Sequence, residues 1–357
     1  MEKIVVFTPS LNIGGIERIL LTYAKGLAEK GYNVTYLTLS NKGDFQIQPC
    51  KNLFYGNLGV KRLRLALFVL IKFLKQNKPN IIFCANEATM MVYIAKTLSG
   101  IPARIITSQH NYYENYLGMS FKKTFVPRYI FPLCYKVIAV SDGIRKMLIN
   151  DFNNKPTKVV TISNPIDATL VQKQADEIVL DLPNEYVLFV GRFDKVKNIQ
   201  LLINAYKLFN QRFPNVKLLL IGGGPELESI TNHIKELNLQ DEIKFLGIKS
   251  NPFPYIKKAK IIALSSKSEA FPTVLIESLI LGKTIVSTPT FGAIEILNSG
   301  KYGYLSDSVS DVSGFYNKLV EAYLKPLDPN LLENYSLLNF SLDLKLTEFE
   351  NLWKKKQ

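Results

Sequence analysis

Cysteine and histidine are scarce in this chain of 357 residues, with three of the first and two of the second. Cys50, Cys84 and Cys134 are odd in number, widely separated and set in or near apolar runs. That excludes a disulfide framework and fits reduced thiols in a cytosolic protein. His110 and His233 join no Cys/His cluster with ligand spacing, so no structural zinc site is expected. Asp-x-Asp triplets are missing too, and with them the residue pair that one kind of metal–diphosphate enzyme needs. Neither a metal nor a cofactor is therefore expected. The longest apolar run, Leu65 to Leu74, is broken by Lys72 and falls short of the ~20 residues that span a bilayer. The opening Met1-Glu2-Lys3-Ile4-Val5-Val6-Phe7 is a short strand without a small-residue cleavage site after it, not a signal peptide.

What is present is ample apolar material, 47% of residues, enough for two cores. The net charge of +14 is lopsided: through Ala168 there are 22 Lys and Arg against 9 Asp and Glu, and from Thr169 onward 22 against 21. A basic first half suits nucleic acid, an anionic membrane or an anionic substrate, and composition does not choose among them. Two segments of that half mix basic with apolar or aromatic residues. The first carries Lys61, Arg62, Arg64, Lys72 and Lys75 around Leu65 to Leu74. The second carries Lys122, Lys123 and Arg128 among Phe121, Phe125, Tyr129 and Phe131. Each reads either as a core-packed element with a solvated basic edge or as an interfacial element that meets anionic lipid.

The pattern is one of alternating strands and helices. In the first half, strands are predicted over Lys3–Thr8, Asn33–Leu39, Ile81–Cys84, Arg104–Ser108, Lys136–Val140 and Val159–Ile162. The first is followed by Gly14-Gly15 and a helix, as in a Rossmann-like unit, but without the G-x-G-x-x-G fingerprint. His110 falls just past the end of a predicted strand, where ligand loops of parallel sheets gather. Thr169–Asn184 reads as a connection. The alternation restarts at Tyr186–Val190 and continues through Lys217–Ile221, Ile243–Leu246, Lys260–Leu264 and Thr284–Ser287. Two doubly wound α/β domains are the economical architecture.

One stretch contradicts its apolar surroundings. Glu269 and Glu277 stand in Glu-Ala-Phe-Pro-Thr-Val-Leu-Ile-Glu, where a loop leads from a buried strand into a helix with Pro272 at its start and Gly282 past its end. The N–H groups of Thr273 and Val274 at that helix start suit a phosphate, whereas carboxylates suit hydroxyls. A nucleotide sugar offers both. The ordinary alternative is a carboxylate favourably placed near a helix start and another on a solvated face. Arg192 and Lys197, after another strand end, are cations able to hold a diphosphate, the first bidentately and the second as a point charge.

Taken together, these residues resemble the retaining glycosyltransferases of the GT-B architecture, family 4 (group 1), of the bacterial surface-glycan type. The resemblance rests on Gly14-Gly15 with Glu17, His110, Asn164-Pro165-Ile166-Asp167, Gly191-Arg192 with Lys197-Asn198, Gly222 to Pro225, and the Glu269/Glu277 pair. Ala270 and Pro165 stand where that family commonly has glycine. The resemblance implies two Rossmann-like domains facing across a cleft: 1–168 toward acceptor and membrane, a linker at 169–184, 185–335 for the nucleotide sugar, and a helix at 336–357 that packs back on the first domain. It implies that Glu269 and His110 serve the sugar. Gly14, Gly15, Arg192, Lys197, Thr273 and Val274 then hold the diphosphate, and Glu277, Gly222, Gly224, Gly247 and Ile248 lie about ribose and base, with Glu17 and Asn164 also in the site. The expected activity is metal-independent transfer from a UDP-sugar to a lipid-diphosphate-linked saccharide, at the cytoplasmic face of an anionic inner membrane. A nucleotide-sugar epimerase of similar shape, a sugar-nucleotide sensor and a nucleic-acid-binding protein are the rivals. No nucleic acid is expected, because it leaves the carboxylate pair without a purpose.

Overall fold

The computed structural model describes residues 2–9, 15–39, 50–60, 65–113 and 124–354. They divide into two compact units, Met1–Pro165 with Leu342–Gln357, and Ile166–Ser341.

In the first unit the order is β1 (Lys3–Phe7), α1 (Gly15–Glu29), β2 (Asn33–Thr38), β3 (Leu53–Asn57), α2 (Ala66–Asn77), β4 (Ile81–Ala85), α3 (Ala88–Ser99) and β5 (Arg104–Gln109). A π-helical turn (Val126–Ile130) and a 3₁₀ turn (Phe131–Leu133) lead to β6 (Lys136–Ala139), α4 (Asp142–Asn150) and β7 (Val159–Thr161). All seven strands are parallel, in the order β3-β2-β1-β4-β5-β6-β7. The inner strands carry unbroken apolar runs, Ile4–Phe7 in β1 and Ile81–Ala85 in β4, because helices cover a parallel sheet on both faces. β3 is not among the strands predicted from the sequence. It is an edge strand whose residues after Leu53 are largely exposed, so its sequence lacks the buried run by which its neighbours declare themselves.

The second unit begins with α5 (Ala168–Ala175), then β8 (Glu185–Val190), a 3₁₀ turn (Lys195–Lys197), α6 (Ile199–Arg212), β9 (Val216–Ile221), α7 (Leu227–Glu236) and β10 (Ile243–Gly247). It continues through α8 (Phe253–Lys258), β11 (Ile261–Leu264), α9 (Thr273–Ile280), β12 (Ile285–Ser287), α10 (Phe291–Ile296), β13 (Tyr304–Leu305), α11 (Val312–Leu324) and α12 (Pro329–Phe340). Its strands, again parallel, run β10-β9-β8-β11-β12-β13. Thr169–Asn184 is thus no bare connection. Asp167 caps α5, accepting the Leu170 N–H at 2.9 Å, and α5 packs on α8 and α9. The chain leaves the first unit at Pro165, and α12 stays in the second.

The chain then returns to the first unit as α13 (Leu342–Glu350). Phe349 lies 4.7 Å from Phe83 and 5.0 Å from Tyr23, ring centre to ring centre, inside the core built on α1 and β4. Polar contacts surround this plug. Tyr32 donates to Glu350 at 2.6 Å, Lys30 reaches the same carboxylate, and Trp353 Nε1 donates to Glu2 at 2.6 Å. Trp353 is the sole tryptophan, so its fluorescence follows unfolding of the first unit. Phe349→Ala empties a fully buried site in that core. We expect it to lower stability in urea, read by that fluorescence, by about 3–5 kcal/mol. A loss below 1 kcal/mol is incompatible with this packing.

Candidate active site

In each sheet the strand order reverses, between β1 and β4 and between β8 and β11, and loops leaving neighbouring strand ends diverge there to open a crevice. In the second unit, the loops at this reversal carry the charged residues singled out by sequence. β8 runs into Gly191-Arg192, and β11 into Ser265 through Glu269.

The first loop is built around Asp194, whose carboxylate accepts the N–H groups of Val196 (3.1 Å) and Lys197 (3.2 Å) and so caps the 3₁₀ turn. Asn198, in the left-handed region at φ 48°, turns the chain into α6. The second loop clamps the first. Ser265 Oγ donates to the Lys197 carbonyl at 2.9 Å, and the Lys267 N–H to the Val196 carbonyl at 2.7 Å.

The side chains then meet. Lys197 Nζ and Ser266 Oγ, the latter at 2.7 Å, both donate to Oε1 of Glu269. Lys197 and Glu269 are largely buried, so their attraction is little screened. Oε2 of Glu269 has no protein donor among the described residues and can accept from a ligand hydroxyl. Arg192, by contrast, is exposed and reaches Asp194 only at 4.0 Å. Glu277 is buried on α9 rather than on a solvated face. The start of α9 leaves the Thr273 and Val274 N–H groups without intrahelical acceptors.

Glycines let these loops approach. Gly222 N–H donates to the Gly247 carbonyl at 2.9 Å, and Phe193 N–H to the Gly223 carbonyl at 2.9 Å. At Gly222 (φ 145°) a Cβ would collide with the Gly191 carbonyl, and at Gly224 (φ 156°) with that of Phe193. Gly247 also has positive φ, and Ile248 beyond it is exposed.

The first unit holds the remaining candidates. Gly15 opens α1, and Glu17 lies partly buried in its first turn. Gly14 lies outside the described residues. His110 follows β5; its N–H donates to Asn86 Oδ1 at 3.0 Å and its Nε2 pairs with Ser108 Oγ at 2.8 Å. Its Nδ1 has no protein partner among the described residues. Burial pushes the imidazole down to about 4, so it is neutral near pH 7. Asn164 is buried after β7. Of the basic residues assigned to a membrane, Lys72 and Lys75 are exposed on α2. Arg128 is also exposed and donates to the Asp151 carbonyl at 3.1 Å. Lys61, Arg62, Arg64, Lys122 and Lys123 lie outside the described residues. Among the described residues, no group of three or more His, Cys, Asp and Glu is placed to hold a metal ion.

Three contributors escaped the sequence reading. Ser266 is one serine in Ser265-Ser266-Lys267-Ser268, and only its bond to Glu269 distinguishes it. Asn86 sits at φ 48° past the end of β4, and an asparagine at a predicted strand end was a usable signal. Gly292 lets α10 lie against the Glu269 loop: its N–H donates to the Glu269 carbonyl at 3.0 Å, and a Cβ there would meet the Ala270 carbonyl at 2.7 Å.

Residues 13–170 match the model for Glycosyltransferase Family 4, and 171–336 that for Glycosyl transferases group 1. The chain belongs to the family 4 glycosyltransferases. A curated Campylobacter jejuni relative, N-acetylgalactosamine-N,N'-diacetylbacillosaminyl-diphospho-undecaprenol 4-alpha-N-acetylgalactosaminyltransferase, is 28% identical over 88% of each chain. The N-acetyl-alpha-D-glucosaminyl L-malate synthase of Bacillus anthracis is 25% identical over 87% of this chain and 84% of its own. Among solved structures, Anabaena HepE in complex with UDP and glucose superposes with a TM-score of 0.78 over 98% of both chains at 18% identity. A Rickettsia africae glycosyltransferase reaches 0.80 over 99% of both. The glycosyltransferase thus has the GT-B fold, with two parallel-sheet α/β domains.

Two measurements probe this geometry. In an NMR titration the His110 ring, identified by loss of its signal in His110→Gln, should show a midpoint near 4. Its folded value lies below the unfolded 6.5, so the stability it contributes is kept above that pH and lost as pH falls from 6.5 toward 4. A midpoint above 6 contradicts the desolvation of the ring. Gly222→Ala should lower the melting temperature by several degrees, because the clash is with backbone; an unchanged protein refutes the close approach.

Proposed function

We propose that this glycosyltransferase is a retaining, metal-independent enzyme. It moves a hexose or N-acetylhexosamine from a UDP-sugar to a lipid-diphosphate-linked saccharide at the cytoplasmic face of the membrane. The observation that carries the reading is Glu269, whose charge is balanced by Lys197 on one oxygen while the other remains open to a hydroxyl. Such a carboxylate recognises a polyol, and the neighbouring start of α9 favours an anion. The names of two Campylobacter jejuni relatives specify diphospho-undecaprenol acceptors and N-acetylgalactosamine transfer. The solved structure that holds UDP and glucose supports a UDP-sugar.

In this reading Lys197, Arg192 and the Gly15, Thr273 and Val274 amides hold the diphosphate, with Glu277 on the ribose and Gly222, Gly224, Gly247 and Ile248 about the base. Glu269 and His110 orient the sugar, and Glu17 and Asn164 complete the site. The bond from anomeric carbon to diphosphate oxygen breaks, and the acceptor oxygen bonds to that carbon on the same face. The acceptor hydroxyl proton passes to the departing diphosphate. Cations and amides stabilise that developing charge, the electrostatic contribution that dominates many enzymes. A neutral His110 can donate to or accept from a sugar hydroxyl without adding charge.

A thermal-shift screen in EDTA should show stabilisation by UDP and by one UDP-sugar, through mass action. Glu269→Gln should lower kcat at least 100-fold, about 2.7 kcal/mol of transition-state stabilisation, while UDP still binds. The anomeric coupling constant of the product reports retention. No response to any nucleotide removes the donor assignment, and turnover of Glu269→Gln within tenfold of the native enzyme removes the role of Glu269.

A further inference from the structure

Two neighbouring helices of the first unit carry apolar residues on the sides they turn to solvent. On α2, Ala66, Leu70 and Leu74 face inward, while Phe68 is 80% exposed and Val69 is also exposed, as is Leu65 just before the helix. On α3, Ala88, Val92 and Ala95 are buried, while Met90, Ile94 and Leu98 recur every four residues along the exposed side. The two helices pack side by side. A solvent-facing helix is normally polar on its outer face. Five large apolar side chains on two adjacent helices, with Leu65 before the first, mark a surface that something covers.

Charge identifies the occupant. Lys72 and Lys75 continue the exposed side of α2, and neither helix contains an Asp or Glu. Apolar side chains beside lysines suit a bilayer interface, where the former enter the acyl boundary and the latter meet anionic headgroups. A second copy would bring the same lysines together across a symmetric contact. Among the described residues no helix is long and apolar enough to cross a membrane, so attachment through these helices lies at the surface.

We infer that the outer faces of α2 and α3 form the surface by which the enzyme docks on an anionic lipid bilayer, with Phe68, Ile94 and Leu98 as its inserted side chains. This deepens the reading that the acceptor is lipid-linked and rests on it, since docking brings the enzyme to an acceptor held in the membrane. It also moves the contact from the basic residues alone to an apolar face, half of it on a helix that carries little positive charge.

The test is flotation of the full chain with vesicles of phosphatidylcholine, with and without phosphatidylglycerol. The native protein should float with the anionic vesicles, and Phe68→Ser with Leu98→Ser should weaken partitioning at least tenfold. Lys72→Glu with Lys75→Glu should remove the preference for anionic lipid and its salt dependence. The apolar double variant should keep the native thermal shift with UDP and native turnover of a water-soluble acceptor analogue, while losing turnover of a vesicle-bound acceptor. Equal flotation of native and Phe68/Leu98 variant overturns the inference. So does a native protein that ignores the vesicles, or a native dimer in sedimentation that the variant dissolves. If flotation behaves as expected but no nucleotide shifts the melting temperature, the donor assignment fails and the docking face stands.

Discussion

A parallel sheet wound in two directions must open somewhere. Crossovers send the chain one way from β1 and β8 and the other way from β4 and β11, so the loops at those strand ends diverge, where sheets of this kind commonly bind ligands. The candidate site depends on this constraint. Arg192 and Lys197 follow one strand of the reversal and Glu269 the other, which is why residues 72 positions apart share a carboxylate oxygen.

Within that crevice the chemistry is a balance of charges. A lone buried carboxylate is costly to desolvate. Lys197 and Ser266 both donate to one oxygen of Glu269, and the other has no protein donor among the described residues. On the first unit the solution is the reverse. His110 is kept neutral by burial and oriented by Asn86 and Ser108, so it offers hydrogen bonds without charge. Glycines at 222, 224 and 292 permit the backbone approaches that no side chain would tolerate.

The uneven charge of the chain has a structural counterpart. The basic first unit is also the one in which α2 and α3 expose their apolar outer faces. The same unit is closed by a segment from the far end of the chain, where Phe349 fills the core beside Tyr23 and Phe83. That long-range plug ties its stability to the last described residues rather than to local packing alone.

The amino-acid sequence determined the alternation of buried strands and amphipathic helices, because covered parallel strands must be apolar along their length. It also determined the chemical oddity of Glu269 and Glu277 within an apolar run, and the glycines of the ligand loops. The edge strand β3 was hidden, since a strand with only Leu53 buried has no distinctive pattern. The structure of α5 was hidden likewise, because it lies in a stretch, 169–184, of mixed charge and little periodicity. Tertiary structure alone decided that Lys197 pairs with Glu269, that Ser266 rather than its neighbours completes that pair, that Asn86 holds His110, and that α3 turns its methionine and aliphatic side chains outward. Each of these depends on which loops a sheet reversal brings together or which helix face a neighbour covers, and such proximity has no signature in local sequence.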